Sequence, residues 1–309
     1  MGKSSAAVGG SGALVISEPR PATSPPAFAL PSLSVARRSP PKRPPRRGHD
    51  ARLWSAATPL VLFLVLPLGA LIWRATTGEV AFGRDAFATL RPALALSLAT
   101  SAVALLVIVT LGTPLAFLLA RRSFPGSNLV ETLVDLPIVL PPAVAGLALL
   151  MAFGRRGVVG QWLDGIGITI GFTTTAVVFA QVFVAAPFFV RAAKGGFARV
   201  DRDLEEAAAD LGASPRRVFR SVTLPLSWPG LAAGAVLAWA RAVGEFGATI
   251  MFAGNLPGTT QTMPLAIYGR FGAGDLGAAL LLSLVLLGAS VIVLLGVRLL
   301  GGRPGGLTP

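Results

Sequence analysis

The chain has 309 residues, of which 53% are hydrophobic and only 13% are charged, and its mean hydropathy is +0.70. Since soluble domains carry about 25% charged residues, this composition excludes an ordinary soluble domain and indicates a membrane protein. Cysteine is absent and His49 is the only histidine, so thiolate chemistry and histidine metal sites are excluded. We expect no metal and no cofactor in this chain.

The first 50 residues form a separate compositional region, rich in proline, serine and arginine and closed by PPKRPPRRGHD. Dense proline and charge prevent a packed core, so we expect residues 1–50 to be a disordered basic cytoplasmic tail. Residues 51–309 are expected to form one transmembrane domain. We interpret the net charge of +13 as orienting the chain on a lipid membrane, not as binding nucleic acid.

Six apolar stretches follow the tail, each near the roughly 20 residues with which a helix crosses about 30 Å of hydrocarbon. The third contains Pro137, Pro141 and Pro142, which predict an interfacial helix over 128–136 and then a broken entry into the span. The sequence therefore predicts an all-α membrane protein with six transmembrane helices. The stretches cover residues 54–73, 93–119, 129–153, 172–190, 230–252 and 276–299.

The distribution of basic residues predicts how the spans are oriented. With the N-terminus in the cytoplasm, 20 lysine and arginine residues lie inside and six lie outside. This bias predicts that both termini are cytoplasmic, although Arg155 and Arg156 then lie outside. The connection over residues 191–229 becomes the longest cytoplasmic loop.

The middle of that loop predicts two short helices. Asp203 can cap the first helix, with Glu206 three residues later in a capping-box arrangement. Gly212 suits the left-handed conformation that ends a helix. A second short helix then ends at Leu224-Pro225, which gives a rigid projection outside the bilayer.

The loop also carries a set of residues at fixed spacing: Glu206, Ala207, Ala208, Gly212, Val222, Leu224 and Pro225. This pattern resembles the EAA loop of ATP-binding-cassette (ABC) importer permeases, in which isoleucine is usual at the position of Val222. The resemblance covers about residues 51–300. It implies the fold of a binding-protein-dependent (type I) importer permease.

The resemblance also implies the partners of the chain. In that family the loop forms a coupling helix seated on a separate ATPase subunit. Two permease copies assemble with two ATPase copies in the bacterial inner membrane, and an extracytoplasmic protein delivers the substrate. Because this chain has no GxxxxGK[ST] motif, we expect ATP and Mg²⁺ to be bound by the partner, and this chain to be non-catalytic.

The segment ARAVGEFGATIMFAGNLPGTTQTMPLAIY, residues 240–268, resembles the molybdate branch of these permeases. It implies import of molybdate through the extracytoplasmic molybdate-binding protein, and of the nearly isosteric tungstate. A sulfate or thiosulfate importer is the nearest alternative, because sulfate permeases also carry a GEFG-type segment. An ion-coupled secondary transporter is a weaker alternative, since Glu245 is the only acidic residue well within a predicted span.

Arg241 and Glu245 lie four residues apart and can pair on one helical face. We expect this pair to orient the fifth span near the cytoplasmic half of the pathway, with direct anion contact by Arg241 as the alternative. Residues 254–264 form either a solvated outer loop that meets the binding protein or a gate. The remaining candidates for the translocation pathway are Thr249, Thr259, Thr260, Gln261 and Thr262.

Overall fold

A computed structural model describes residues 47–77 and 84–301, and within these ranges the chain forms helices and no strands. The predicted all-α class is therefore confirmed, whereas the tail predicted for residues 1–50 lies almost wholly outside the described residues. A π-helical turn covers Phe219–Thr223. The helices are α1 (Arg47–Thr76), α2 (Arg84–Arg121), α3 (Ser127–Val139), α4 (Pro142–Phe153), α5 (Gly160–Gly165), α6 (Thr174–Ala198), α7 (Arg202–Asp210), α8 (Pro215–Val218), α9 (Leu224–Val243), α10 (Gly247–Phe252), α11 (Met263–Gly272) and α12 (Leu276–Gly301).

Among the described residues, five helical segments are long and apolar enough to cross a membrane, and a bent helix pair forms a sixth candidate. The single segments belong to α1, α2, α6, the continuous run from α8 through the π-helical turn to α9, and α12. The six predicted stretches are thus all present. The fifth differs in extent, because its helix ends at Val243 and not at residue 252.

The third predicted span is broken, as its prolines indicate. Helices α3 and α4 meet at an angle of 119°. Pro141 has extended backbone dihedral angles, and Pro142 opens α4 in the first turn, where a missing N–H costs no hydrogen bond. The first helix continues to Val139, beyond the predicted residue 136, because Pro137 is accommodated inside it.

Helix α6 is the centre of the bundle. In an 18-residue apolar stretch of α6, 56% of the residues are buried. In the corresponding stretch of α1, none is buried. Phe189 and Phe197 pack in a core shared with α2 and α9, and Val177 packs in a second core with α4 and α10. A third core around Met263 and Leu282 joins α2, α11 and α12. The two ends of the bundle are therefore built around the same helix.

Helices α6 and α9 approach each other so closely that their backbones touch. Gly230 and Gly234 lie four residues apart on α9, and a Cβ atom added at Gly230 would lie 2.6 Å from the Cα atom of Gly196 on α6. Small residues on facing helices allow this approach, and in a membrane such van der Waals packing drives helix association. The contact lies next to the connection between the two helices.

The connection between α4 and α6 carries a small polar cluster around Asp164. The Thr169 hydroxyl donates a hydrogen bond to this carboxylate over 3.0 Å, and Arg155 donates another over 3.2 Å. These two donors hold the pKa of Asp164 below its ordinary value. The carboxylate therefore stays ionised at neutral pH and available to pair with the exposed Arg155 side chain.

Candidate functional site

The two-helix loop predicted between the fourth and fifth spans is present, but its first helix begins differently. The N-cap residue of α7 is Asp201, whose side chain accepts a hydrogen bond from the Asp203 backbone N–H over 3.1 Å. The predicted cap at Asp203 with a capping box to Glu206 is therefore wrong. Because the true cap lies two residues earlier, Asp203 and Glu205 occupy the first helical turn, where the helix dipole favours negative charge.

The end of α7 follows the predicted turn. Gly212 has a φ of +85°, the left-handed conformation that glycine adopts without a Cβ penalty. Its backbone N–H donates to the Ala209 carbonyl, and the N–H of Ala213 donates to that of Ala208. These bonds satisfy the last carbonyls of α7 and turn the chain sharply into α8, which begins at Pro215.

The surface of α7 is uncovered in this chain, since none of its residues is buried. Glu206 and Ala207 are exposed, and Ala208 is half-buried. The apolar side chain of Leu211 is 89% exposed. The side chain of Leu204 on α7 is also 51% exposed, so this loop leaves apolar surface uncovered.

The predicted helix end at Leu224-Pro225 is wrong. The chain passes from α8 through the π-helical turn into α9, and Pro225 lies in the first turn of α9. The backbone N–H of Leu224 donates to the Phe219 carbonyl, five residues earlier. Because proline has no N–H to donate, the wider turn just before it absorbs the interruption without ending the helix.

A polar network at the base of the loop was not predicted from the sequence. Arg121, the last residue of α2, donates from Nη2 to the Val200 carbonyl and to Glu205 Oε1, each over 3.0 Å. The Thr223 hydroxyl donates to the same Glu205 oxygen over 2.5 Å. The network thus joins α2, the connection that precedes α7, α7 itself and the π-helical turn.

Three phenylalanine rings pack beneath this network. The Phe117 ring on α2 meets Phe197 of α6 and Phe219 of the π-helical turn edge to face, with centroid distances of 5.3 and 5.2 Å. Edge-to-face geometry is a favoured arrangement of aromatic rings. The base of the loop is therefore fixed to two spans by apolar packing and to α2 by the polar network.

A second group of candidate residues lies where α9 ends. Glu245 Oε2 accepts from Arg241 Nη2 over 2.6 Å, and its Oε1 accepts from the Ala248 backbone N–H over 2.7 Å. The Glu245 side chain is 1% exposed and that of Arg241 30%. One buried carboxylate thus joins the end of α9 to the start of α10 across a break that has no proline.

The expected position of this pair is wrong. Arg241 lies 17 residues after Leu224, where α9 begins beside the loop, which is about 25 Å at 1.5 Å per residue. The pair therefore lies at the end of α9 that is far from the two-helix loop. Under the predicted orientation this is the outer half of the bundle, not the cytoplasmic half.

The broken third and fifth spans meet at their breaks. A Cβ atom added at Gly247, the first residue of α10, would clash with the Cβ atom of Pro142 at the start of α4. Thr249 on α10 is fully buried, and its hydroxyl has no hydrogen-bond partner within the described part of the chain. Two discontinuous helices in contact form the kind of element that lines transport pathways in membrane proteins.

The loop that follows α10 has an exposed tip and a buried base. Residues 256–259 are exposed, and the Thr259 carbonyl accepts from the Thr174 hydroxyl over 2.8 Å. Thr260 and Thr262 are buried, and Gln261 is half-buried. The base therefore differs from the fully solvated loop that was one of the two interpretations.

The base of this loop is fastened to α2. The buried Ser97 hydroxyl accepts from the Met263 backbone N–H over 2.7 Å, at the first residue of α11.

Of the candidate pathway residues, the structure brings Arg241 and Glu245 together. No hydrogen bond among the described residues joins them to the loop threonines.

Comparison with known proteins places these features in a family. Residues 112–304 match the family described as "Binding-protein-dependent transport system inner membrane component". The "Molybdenum transport system permease protein ModB" of Mycobacterium tuberculosis is 47% identical over 205 residues, which cover 66% of this chain and 77% of the relative. The "Probable sulfate transport system permease protein cysT" of Nephroselmis olivacea is 36% identical over 241 residues, which cover 77% and 85%.

Solved structures show the same fold. One similar chain belongs to "a bacterial ABC transporter involved in the import of the acidic polysaccharide alginate". It superposes with a TM-score of 0.59 at 19% identity, and the match covers 82% of this chain and 99% of the other. At this identity the likeness concerns the fold alone.

Proposed function

Because this chain belongs to the binding-protein-dependent transport system inner membrane components, we propose that it forms the translocation pathway of an ATP-driven molybdate importer in the bacterial inner membrane. Two copies of the chain enclose the pathway within the lipid. A separate ATPase, also in two copies, binds and hydrolyses ATP with Mg²⁺. An extracytoplasmic molybdate-binding protein delivers the anion, and the loop of α7 and α8 receives the ATPase in the cytoplasm.

The observation that carries this proposal is the exposed loop with its fixed base. Glu206, Ala207, Ala208 and Gly212 keep the family spacing on a surface that this chain leaves uncovered. The apolar Leu211 side chain stands in water beside them. A rigid projection with an uncovered apolar side suits a partner that pushes on it, since small rigid-body movements of packed elements carry conformational change.

Molybdate is favoured over sulfate by the segment 240–268 and by the relatives. Identity to the M. tuberculosis molybdenum permease is 47%, against 36% for the N. olivacea sulfate permease. Tungstate is included because it has nearly the same size and charge as molybdate. Sulfate remains the second candidate, because its permease matches a longer part of this chain.

The Arg241–Glu245 pair has a role in the pathway under this proposal. A dianion needs a positive group to attract it and weak final binding so that it can leave. The Arg241 guanidinium is partly exposed while Glu245 neutralises it from the buried side, so the pair offers hydrogen-bond donors without a full uncompensated charge. Thr249 and residues 259–262 lie on the segments that follow and complete the proposed pathway.

Two loop substitutions test the coupling role. Glu206→Lys reverses a charge on the uncovered surface of α7, and Gly212→Pro requires a φ near −65° where the chain has +85°. We expect both variants to lose the partner ATPase during purification and to lose most molybdate uptake. Co-purification and uptake into proteoliposomes measure this.

Gly126→Pro is the matched control for Gly212→Pro. Gly126 also has a positive φ, +91°, is exposed, and has open space around its added Cβ atom, but it lies outside the loop. It should share the backbone strain yet retain the ATPase. The coupling role is wrong if both loop variants keep the ATPase and transport at the parental rate.

Competition between anions tests the substrate. Uptake of isotopically labelled molybdate is measured with the complete importer in the presence of excess sulfate or excess tungstate. We expect tungstate to suppress uptake strongly and sulfate to leave it near the uncompeted rate. Equal suppression by both anions would contradict the molybdate assignment and favour the sulfate alternative.

A further inference from the structure

We infer that the ion pair between Arg121 and Glu205 is the mechanical tie through which movement of the loop reaches α2. This inference rests on the proposed coupling function. It assigns a positioning role to two residues outside the spacing pattern of the loop. The tie would act beside the covalent connections, which lead from the loop only into α6 and α9.

Helix α7 needs such a tie because it is short and uncovered. It has nine residues and buries none of them, whereas isolated helices shorter than about 12–15 residues are marginal in water. A crevice of about 440 Å³ lies between α7 and the bundle, lined by Phe117, Ala209 and Val218 among others. Apolar packing therefore does not fix α7 against the spans, and polar contacts must do so.

The ion pair is placed to supply this restraint. The side chain of Arg121 is 9% exposed and that of Glu205 21%, so water screens their attraction only partly. Arg121 also binds the Val200 carbonyl, just before α7, while Thr223 binds Glu205 from the π-helical turn. Arg121 thus binds the start of the loop directly and the far end of the loop through Glu205.

Helix α2 extends from this tie to the opposite end of the bundle. Ser97, which binds the Met263 N–H at the base of the proposed pathway loop, lies 24 residues before Arg121, or about 36 Å along the helix. Ser101 on the same helix accepts from the Trp239 indole N–H over 3.0 Å, near the end of α9. A displacement of the Arg121 end of α2 is therefore transmitted to residues beside the pathway.

The test measures molybdate transported per ATP hydrolysed in proteoliposomes that contain this chain, the ATPase and the binding protein. Glu205→Gln keeps the shape of the side chain and removes the charge. We expect this variant to retain the ATPase and its hydrolysis, while molybdate per ATP falls about tenfold, within the roughly 5–150-fold of typical coupling between sites. The charge swap Arg121→Glu with Glu205→Arg should recover part of the molybdate transported per ATP that Glu205→Gln loses.

Asp203→Asn is the matched control, because it removes an exposed carboxylate from the same helix. If Glu205→Gln behaves like Asp203→Asn, the tie is not used and the inference fails. If Glu205→Gln does not assemble, Arg121→Gln decides, since it removes the ion pair from the α2 side and leaves α7 unchanged. An unchanged ratio in Arg121→Gln then overturns the inference. A parental complex that fails to retain the ATPase would instead contradict the proposed function itself.

Discussion

Replacing Arg241 by alanine is expected to destabilise the purified chain by about 3 kcal/mol, the low end of the range found when one partner of a fully buried ion pair is removed, because the Arg241 guanidinium is partly exposed. Glu245, which is 1% exposed in the parent, would lose its charged partner and face the space left by the guanidinium. Its hydrogen bond from the Ala248 N–H satisfies only one of its two oxygens. The midpoint of thermal unfolding in detergent measures the loss.

A second substitution should restore much of that stability. In the double variant Arg241→Ala, Glu245→Gln, the charge is gone, while the amide oxygen of glutamine can still accept from the Ala248 N–H. We therefore expect the double variant to unfold at a higher temperature than Arg241→Ala alone. A double variant as unstable as the single one, or less stable, would show that the uncompensated carboxylate is not the source of the cost.

The second large effect is expected where α6 and α9 touch. In Gly230→Ala the new Cβ atom would lie 2.6 Å from the backbone Cα of Gly196, and backbone cannot turn away as a side chain can. Overpacking of this kind costs about 1–3 kcal/mol and occasionally more. We expect a lower unfolding temperature and reduced retention of the ATPase, because this contact supports the base of the loop.

Gly195→Ala is the matched control for Gly230→Ala. Gly195 lies on α6 next to Gly196, and a Cβ atom added there meets nothing within 4 Å. Since alanine favours a helix by about 1 kcal/mol over glycine, this variant should be as stable as the parent or slightly more stable. Equal effects of the two substitutions would mean that close backbone contact does not determine the stability of this interface.

The sequence predicts the spans well because apolar length is a local property. The break in the third span was also predictable, since Pro141 and Pro142 cannot continue a helix without cost. The break in the fifth span was not, because Gly244-Glu245-Phe246 contains no proline, and the sequence does not show that the Glu245 carboxylate accepts from the Ala248 N–H at the start of α10. The mean hydropathy of this stretch therefore cannot distinguish the break from a continuous helix.

The surface of the loop could be predicted from its spacing pattern, whereas its base could not. Arg121 and Glu205 are 84 positions apart, so no local pattern indicates their contact. From the sequence, Arg121 contributed only to the predicted orientation, as one of many basic residues on the cytoplasmic side. The cap of α7 was misplaced for a related reason: Asp201 and Asp203 are equally good capping residues, and the connection from α6 decides between them.

The glycine contact between α6 and α9 also has a consequence for the time course of synthesis. Gly196 leaves the ribosome about 34 residues before Gly230, which is about 2–7 s at 5–20 residues per second. During this interval the surface of α6 around Gly196 is not yet covered by α9. Another helix in the membrane that has small residues on one face could pack there instead. Because the two helices belong to one chain and are separated only by the two-helix loop, the correct partner arrives at high local concentration. Lengthening the loop would therefore prolong the period in which the chain can pair incorrectly, even if the finished structure were unchanged.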